Sequence, residues 1–325
     1  MHRLKPVLSR LAKAAAVLLG VIVLNFMLLR MAPGDPAEVI AGEMGAADAQ
    51  FIADVRRDFG LDRPLPEQLL VYVGQVATFN FGKSFRENRP VAEIIIERLP
   101  ATLMLTLSAF AFALVTGVAL GVAAGRRPGS RIDAAITVLS LVFFAMPLFW
   151  LGLMAIVLFS MQLQWLPAYG MSTVGAGLEG IARLLDMLRH LAMPALTLGL
   201  FYMAVYMRVT RAAVADVVDQ DFVKTARAKG VPDGRIWRRH VLRNALLPVI
   251  TFATIQAGHI VGGSVLIETV FAWPGIGRLA FDALFQRDYN LLLAIFFVCS
   301  VMVIVFNLVA DVLYRLADPR IEVAA

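Results

Sequence analysis

Few side chains in this sequence have the type and spacing that chemistry requires. Gly82-Lys83-Ser84 has the ending of a phosphate-binding loop, G-x-x-x-x-G-K-[ST], whose backbone N–H groups would cradle a triphosphate. The first glycine of that pattern falls on Ala77 and no strand-like run precedes it, so the tripeptide reads as a turn. The four histidines, His2, His190, His240 and His259, are too scattered for an HExxH-type zinc pair. The single cysteine, Cys299, excludes an internal disulfide and a cysteine-based metal site. No Ser/Lys pair or GxGD-type aspartate points to an intramembrane hydrolase. The expectation is a chain that is not an enzyme, with no catalytic residues, no metal and no cofactor of its own. What remains is a basic loop at 208–244 and isolated polar groups in or beside apolar runs: Gln256, His259, Glu268, Asn307 and Asp311.

The elements that must position these groups are apolar. The 325 residues are 59% hydrophobic and 17% charged, with a mean hydropathy of +0.75. An average soluble domain has about 25% charged residues, so the balance is that of a membrane protein. A hydrocarbon core of about 30 Å takes about 20 largely apolar residues in a helix. Six uncharged stretches qualify: 14–29, 101–124, 134–162, 191–207, 245–267 and 291–310. Only helices satisfy their own backbone in lipid, and barrel-like alternation is absent, so six helices are expected.

Lys and Arg orient them. One side receives Arg3, Lys5, Arg10 and Lys13, then Arg126, Arg127 and Arg131, nine basic residues from Arg208 to Arg243, and Arg315 and Arg320. The short connections on the other side have only Arg183, Arg189, Arg278 and Arg287. Both termini are therefore expected in the cytoplasm, and the pI of about 9.8 is explained without nucleic acid. Arg30-Met31-Ala32-Pro33 offers no small-x-small cleavage site, so the first helix reads as an uncleaved span.

Residues 31–100 form the largest polar piece. Phe51, Ile52, Val55 and Phe59 share a face of a short helix ending at Gly60; 68–76 and 91–99 read as two more, with Pro100 separating the last from the second span. Gly117, Gly121 and Gly125, like Gly258 and Gly262, form G-x-x-x-G steps that allow close helix approach. Pro147 and Pro194 predict bends in the third and fourth spans. Trp150, Trp165 and Tyr169 suit interface anchoring. Gln256 and His259 lie three apart on one helical face; they and Asn307 suit interhelical hydrogen bonds, with Gln256 and His259 also candidates for the pathway or gate. Asp311 reads as an interfacial or capping carboxylate. Glu268 has two readings, anchoring the Phe-Ala-Trp-Pro-Gly turn that follows it or lining an outer gate.

The basic loop is the most informative segment. Asp221 suits an N-cap and Gly230 a C′ residue, bracketing a helix of about two turns. Pro232 then suits the start of a basic helix that feeds the fifth span. A solvated positive loop is one reading; small residues at Ala226 and Ala228 before a glycine break also suit a helix docked in a partner's groove.

Here the sequence resembles the membrane-spanning subunit of bacterial ATP-binding-cassette importers, in the oligopeptide, dipeptide and nickel permease family. The resemblance is carried in order by Leu29-Arg30-Met31-Ala32-Pro33-Gly34-Asp35-Pro36, Phe59-Gly60-Leu61-Asp62-Arg63-Pro64, Arg98-Leu99-Pro100-Ala101-Thr102-Leu103 and Asp221 through Gly230. It continues in Arg243-Asn244-Ala245-Leu246-Leu247-Pro248, Glu268 through Gly277, and Asp318-Pro319-Arg320.

The resemblance implies an all-α integral membrane fold, the six-helix transmembrane domain of a type I importer. Its parts would be a cytoplasmic flank and first span at 1–30, an external segment at 31–100, and a core at 101–325 containing the coupling loop. That loop corresponds to the EAA motif, with Lys224, Thr225, Ala226, Arg227, Ala228, Lys229 and Gly230 as the ATPase-coupling residues. Lys224 and Thr225 stand at the Glu-Ala positions, a departure usual in the peptide branch. Lys224, Arg227 and Lys229 are the candidates for polar contact with the ATPase.

The implied partners are a homologous second permease, two ATPase subunits that hold ATP and Mg, an extracytoplasmic solute-binding protein and the bilayer, with no nucleic acid. The implied location is the bacterial inner membrane. Short peptides are the expected substrate, with nickel, glutathione or another small solute as the alternative. A self-sufficient ion-coupled transporter is the rival class; it would show more spans or a buried mid-span acid.

Overall fold

The computed structural model describes residues 4–31, 50, 53, 62–84 and 86–317, excluding the side chains of 4–11, 29–31, 257–263 and 310–317. The expected helix ending at Gly60 and the motif stretches at 32–36 and 318–320 lie outside the described residues, as do the side chains of His259, Gly258, Gly262 and Asp311. Helix dominates the rest, and the one β feature among the described residues is an isolated bridge between Lys83 and Pro90.

The helices are α1 (Leu4–Met31), α2 (Leu65–Ala77), α3 (Val91–Gly125), α4 (Arg131–Ala145) and α5 (Leu148–Ala155), which a π-helical stretch, Ile156–Gln162, continues. Then come α6 (Gly180–Val218), α7 (Asp221–Ala228) and α8 (Asp233–Arg235), the last running through a second π-helical stretch, Ile236–Val241, into α9 (Leu242–Val270). α10 (Ile276–Phe285) and α11 (Tyr289–Ala317) follow. Among the described residues three helices are long and apolar enough to cross a bilayer: α3, α6 and the Tyr289–Val309 part of α11. The α4–α5 pair makes a fourth if it is one broken span.

The chain divides into two compact units, residues 1–97 with 280–301 and residues 98–279 with 302–325. In the first, Ile22, Val76 and Phe297 form a small core with Phe81 against it. The Gly82-Lys83-Ser84 tripeptide is a tight turn here. Gly82 has φ +73° and the Ser84 N–H donates to the Arg89 carbonyl at 2.9 Å. The Ser84 hydroxyl donates to Asp288, whose other oxygen caps α11 through the Leu291 N–H.

The second unit is organised by one ridge on α3. Ala101, Leu105, Ala109 and Ala113 are buried at every fourth position, and Gly117, Gly121 and Gly125 continue the row. A methyl group on Gly117 would lie 2.6 Å from Tyr206 Cβ, one on Gly121 2.7 Å from the Met207 carbonyl oxygen, and one on Gly125 2.9 Å from the Arg211 carbonyl oxygen. The two backbones therefore touch, and α6 returns the arrangement with Gly199 under Phe112 of α3. Around this seam Tyr202, Met203, Tyr206, Met207, Val249, Phe271 and Trp273 complete the core.

Three expectations change. Pro100 does not separate two helices: α3 is continuous for 35 residues. An interior proline removes one backbone hydrogen bond and costs about 3 kcal/mol in a free helix. The helix is held across this point by buried neighbours on both sides, Val91, Ile94 and Ile95 before it and Ala101 and Leu105 after it. The 134–162 run is two helices bent by 100° at Met146-Pro147, a full break where a bend was expected. α6 runs for 39 residues, well beyond the 191–207 run, with Pro194 inside it.

Gly121→Leu therefore forces α3 off α6. The expected loss is about 2 kcal/mol or more of stability, read as a lower thermal midpoint in detergent. Gly20→Ala, at a glycine with open space around its Cβ position, is the matched control and stays within about 0.5 kcal/mol of the parent. Equal midpoints for the two variants contradict the seam.

Candidate functional site

Two constructions in the second unit hold the residues singled out by sequence. The first is the loop helix α7. It starts one residue earlier than expected, with Gln220 at the N-cap; Asp221 lies in the first turn, fully exposed, 3.5 Å from Lys224. An exposed pair of this kind contributes little stability.

Its end follows the glycine. Gly230 has φ +71°, its N–H donates to the Arg227 carbonyl at 2.9 Å, and the Val231 N–H donates to the Ala226 carbonyl at 3.2 Å. Those two bonds make a complete Schellman ending, which needs the left-handed conformation that glycine adopts without strain.

Val223 and Ala226 point inward and are buried against Val214, Ile236, Val241 and Ala245. Burying Val223 stabilises the seat by about 1.5–3 kcal/mol. Lys224, Thr225, Arg227, Ala228, Lys229 and Gly230 are exposed. Ala226 therefore seats the helix, whereas Asp221, Lys224, Thr225 and Ala228 form its outer face. Phe222, 42% exposed, flanks that face and was not singled out by sequence.

The second construction surrounds Glu268. α9 ends in another Schellman arrangement, with the Ala272 N–H donating to Thr269 at 3.2 Å and the Trp273 N–H to Glu268 at 2.8 Å. Here the left-handed residue is Ala272, φ +49°. Its carbonyl accepts from Arg278 Nη1 at 2.8 Å, and the buried Trp273 indole donates to the Ala101 carbonyl at 2.8 Å.

The chain then turns into α10, whose first N–H groups have no partner within the helix. The Ile276 N–H donates to Thr102 Oγ1 at 2.7 Å, and the Arg278 N–H to Glu268 Oε2 at 2.9 Å. Gly277 also donates its N–H to Glu268. Glu268 Oε1 accepts from the hydroxyls of Thr102 at 2.8 Å and Ser264 at 3.1 Å. A carboxylate at the positive end of a helix is well placed electrostatically. This one is fully buried, and a side chain on Gly275 would collide with it. Glu268 thus clamps the Phe271–Gly277 turn to α3. Thr102 was not singled out by sequence, because its partners lie 166 and 174 residues away.

Gln256 is half-buried on α9 and Asn307 is exposed on α11. Trp150, Trp165 and Tyr169 are exposed, at 41%, 67% and 58%. At the α7 end of the unit, Asp133, ahead of the apolar run that starts at Ala134, accepts two bonds from Arg211 and one from the Gly129 N–H at 2.9 Å. The Arg211 guanidinium holds its carboxyl down at about 2.

Glu268→Ala leaves the donors of Thr102, Ser264 and the first turn of α10 unpaired in a dry site. It is expected to cost roughly 3 kcal/mol and to lower folded yield and thermal midpoint together. An unchanged midpoint would remove the clamp. Ala272→Gly, which relieves the left-handed strain, is expected to raise stability by roughly 0.5 kcal/mol. A fall in midpoint contradicts it.

Comparison with known proteins agrees with this architecture. Residues 117–323 match the family described as binding-protein-dependent transport system inner membrane component, and residues 3–106 match its N-terminal family. The oligopeptide transport system permease protein AppB of Bacillus subtilis is 40% identical over 319 residues, with 97% of this chain and 98% of that protein covered. The di/tripeptide transport system permease protein DppB of Pseudomonas aeruginosa is 40% identical, with 96% and 97% covered. Among solved structures, an inward-facing MetNI methionine ABC transporter chain shares the fold with a TM-score of 0.56 at 18% identity, covering 70% of this chain and 97% of that one. The chain belongs to the inner-membrane permease family of binding-protein-dependent ABC importers, on the branch that holds the peptide permeases.

Proposed function

We propose that this permease subunit forms half of the translocation pathway of an ATP-driven importer for short peptides, with α7 as the helix that engages a separate ATPase subunit. The observation that carries this reading is α7 itself. It is a two-turn helix whose inner face is fixed by Val223 and Ala226 and whose end is locked by Gly230, with Lys224, Thr225, Ala228 and Lys229 left outward. A surface so held transmits a push without deforming. The two relatives at 40% identity, both named as peptide permeases, support the substrate class.

In this reading six spans cross the bacterial inner membrane and both ends are cytoplasmic. A homologous permease supplies the other half of the pathway. Two ATPase subunits hold ATP and Mg, and a solute-binding protein delivers cargo from outside. Closure of the ATPase pair displaces α7, and the packed helices rock between outward and inward access. Hydrolysis belongs to the partners; this chain contributes the conduit and the mechanical link. Gln256, His259 and Glu268 on α9 are the pathway candidates, and the hydrogen bonds of Glu268 to Thr102, Ser264 and Arg278 support its anchoring reading.

Gly230→Pro tests the link, because proline fixes φ near −65° and has no N–H for Arg227. In the assembled transporter the expected result is normal membrane insertion with peptide uptake lost about tenfold or more while ATP is still hydrolysed. Lys229→Glu is expected to act in the same direction. Normal uptake by a fully inserted Gly230→Pro variant would reject α7 as the coupling element.

A further inference from the structure

α7 is joined through the chain to α6 on one side and, through α8 and the π-helical stretch, to α9 on the other. Neither connection runs directly into α3 or α4; α3 meets these elements through the glycine seam on α6 and through Val122, which packs against the seat of α7. α3 and α4 are linked to each other by the short segment from Arg126 to Ser130, and that segment and the first turn of α4 make one directional contact each with the elements around α7.

The guanidinium of Arg126 lies 4.6 Å from the centre of the Trp237 ring. Trp237 sits half-buried in the π-helical stretch Ile236–Val241, beside Ile236 and Val241, which form the floor under Val223 and Ala226. π-helical turns are rare and are found frequently at functional sites. The second contact is Asp133. Ser130 caps α4 by accepting from the Asp133 N–H at 3.2 Å, and the Asp133 carboxylate accepts from the Gly129 N–H and from both Nε and Nη2 of Arg211 on α6. Asp133 is buried whereas the Arg211 side chain is 38% exposed, so the two-pronged pair is shielded on the carboxylate side.

The hydrophobic seat fixes α7 through non-directional contact. A cation over an indole face and a forked guanidinium–carboxylate pair add directional links from the 126–133 segment. We propose that the 126–133 segment is a strut, in which Arg126 on Trp237 and Asp133 on Arg211 make α3 and α4 follow the displacement of α7. Arg126, Trp237, Asp133 and Arg211 are then positioning residues for transport, none of them touching cargo or nucleotide. The strut rests on the reading of α7 as the coupling helix, and its test separates the two.

The assembled transporter, with its ATPase subunits and solute-binding protein, is reconstituted in liposomes and supplied with trialanine. Uptake per ATP hydrolysed, the amount of assembled complex and its thermal midpoint are measured for Arg126→Ala, Arg126→Lys, Asp133→Asn and Gly230→Pro. Arg126 is exposed, so its removal leaves the fold intact. The expected result is a three- to tenfold fall in uptake per ATP for Arg126→Ala and Asp133→Asn at unchanged assembly, with partial recovery in Arg126→Lys. If Gly230→Pro uncouples but Arg126→Ala and Asp133→Asn match the parent, the strut is wrong and the coupling helix stands. If Gly230→Pro also transports normally, the coupling helix itself is wrong and the strut goes with it. Loss of assembly in step with uptake for both strut variants makes these contacts merely structural and overturns the proposal. If the parent complex takes up no trialanine, solute-independent ATPase activity decides: hydrolysis as in the parent for Arg126→Ala and Asp133→Asn, where Gly230→Pro alters it, overturns the strut, and an altered rate in all three upholds it.

Discussion

The second unit depends on the absence of side chains along one line of α3. Between two transmembrane helices there is little hydrophobic gain to be had, since lipid is as apolar as leucine, and close packing has to supply the attraction. Gly117, Gly121 and Gly125 provide it by letting the carbonyls of Met203, Met207 and Arg211 come within contact distance. The surrounding bulk, Tyr206 against Phe110 and Phe252 with edge-on rings 6.3 and 5.8 Å away, fills in around a seam already fixed by backbone. α6 is thereby tied to α3 over its whole inner length, and the elements that follow α6 inherit its position.

The two helix ends at Gly230 and Ala272 use the same hydrogen-bond pattern in different ways. At Gly230 the turn is unstrained and Arg227 through Gly230 are exposed, while Val231 turns back against the core under α7, so the turn presents a firm outward knuckle. At Ala272 a residue ill-suited to the left-handed region is held there by Trp273, Arg278 and the Glu268 clamp. That turn is over-determined by its surroundings, which is the condition under which backbone strain persists. The first arrangement suits an element that is pushed, the second an element that must not move relative to α3.

Much of this was legible in the sequence. The apolar runs, the glycine steps, the two-turn loop helix and its Gly230 ending follow from local rules of hydropathy and helix termination. Anchoring the Phe-Ala-Trp-Pro-Gly turn is one of the two readings that the sequence offers for Glu268, but its partners are not legible there, because Thr102 and the start of α10 reach it only through tertiary packing. The same applies to Asp133 and Arg211, 78 residues apart. Ser130-x-x-Asp133 could have been read as a helix cap; nothing local indicated that the carboxylate would also be forked by an arginine. Pro100 and Pro147 show the limit of local rules most clearly. The first lies within a continuous helix with buried residues on both sides, and the second stands at a 100° bend between α4 and α5.

The uninterrupted length of α6 has a mechanical consequence. At 1.5 Å per residue its 39 residues have a helical length of about 58 Å along the axis, nearly twice the thickness of a hydrocarbon layer. A tilt of about 10° about its midpoint would sweep each tip sideways by about 5 Å, roughly one helical pitch. A lever arm of that reach needs no melting, hinge or change of register to turn a small angular change into a displacement the size of an amino-acid side chain.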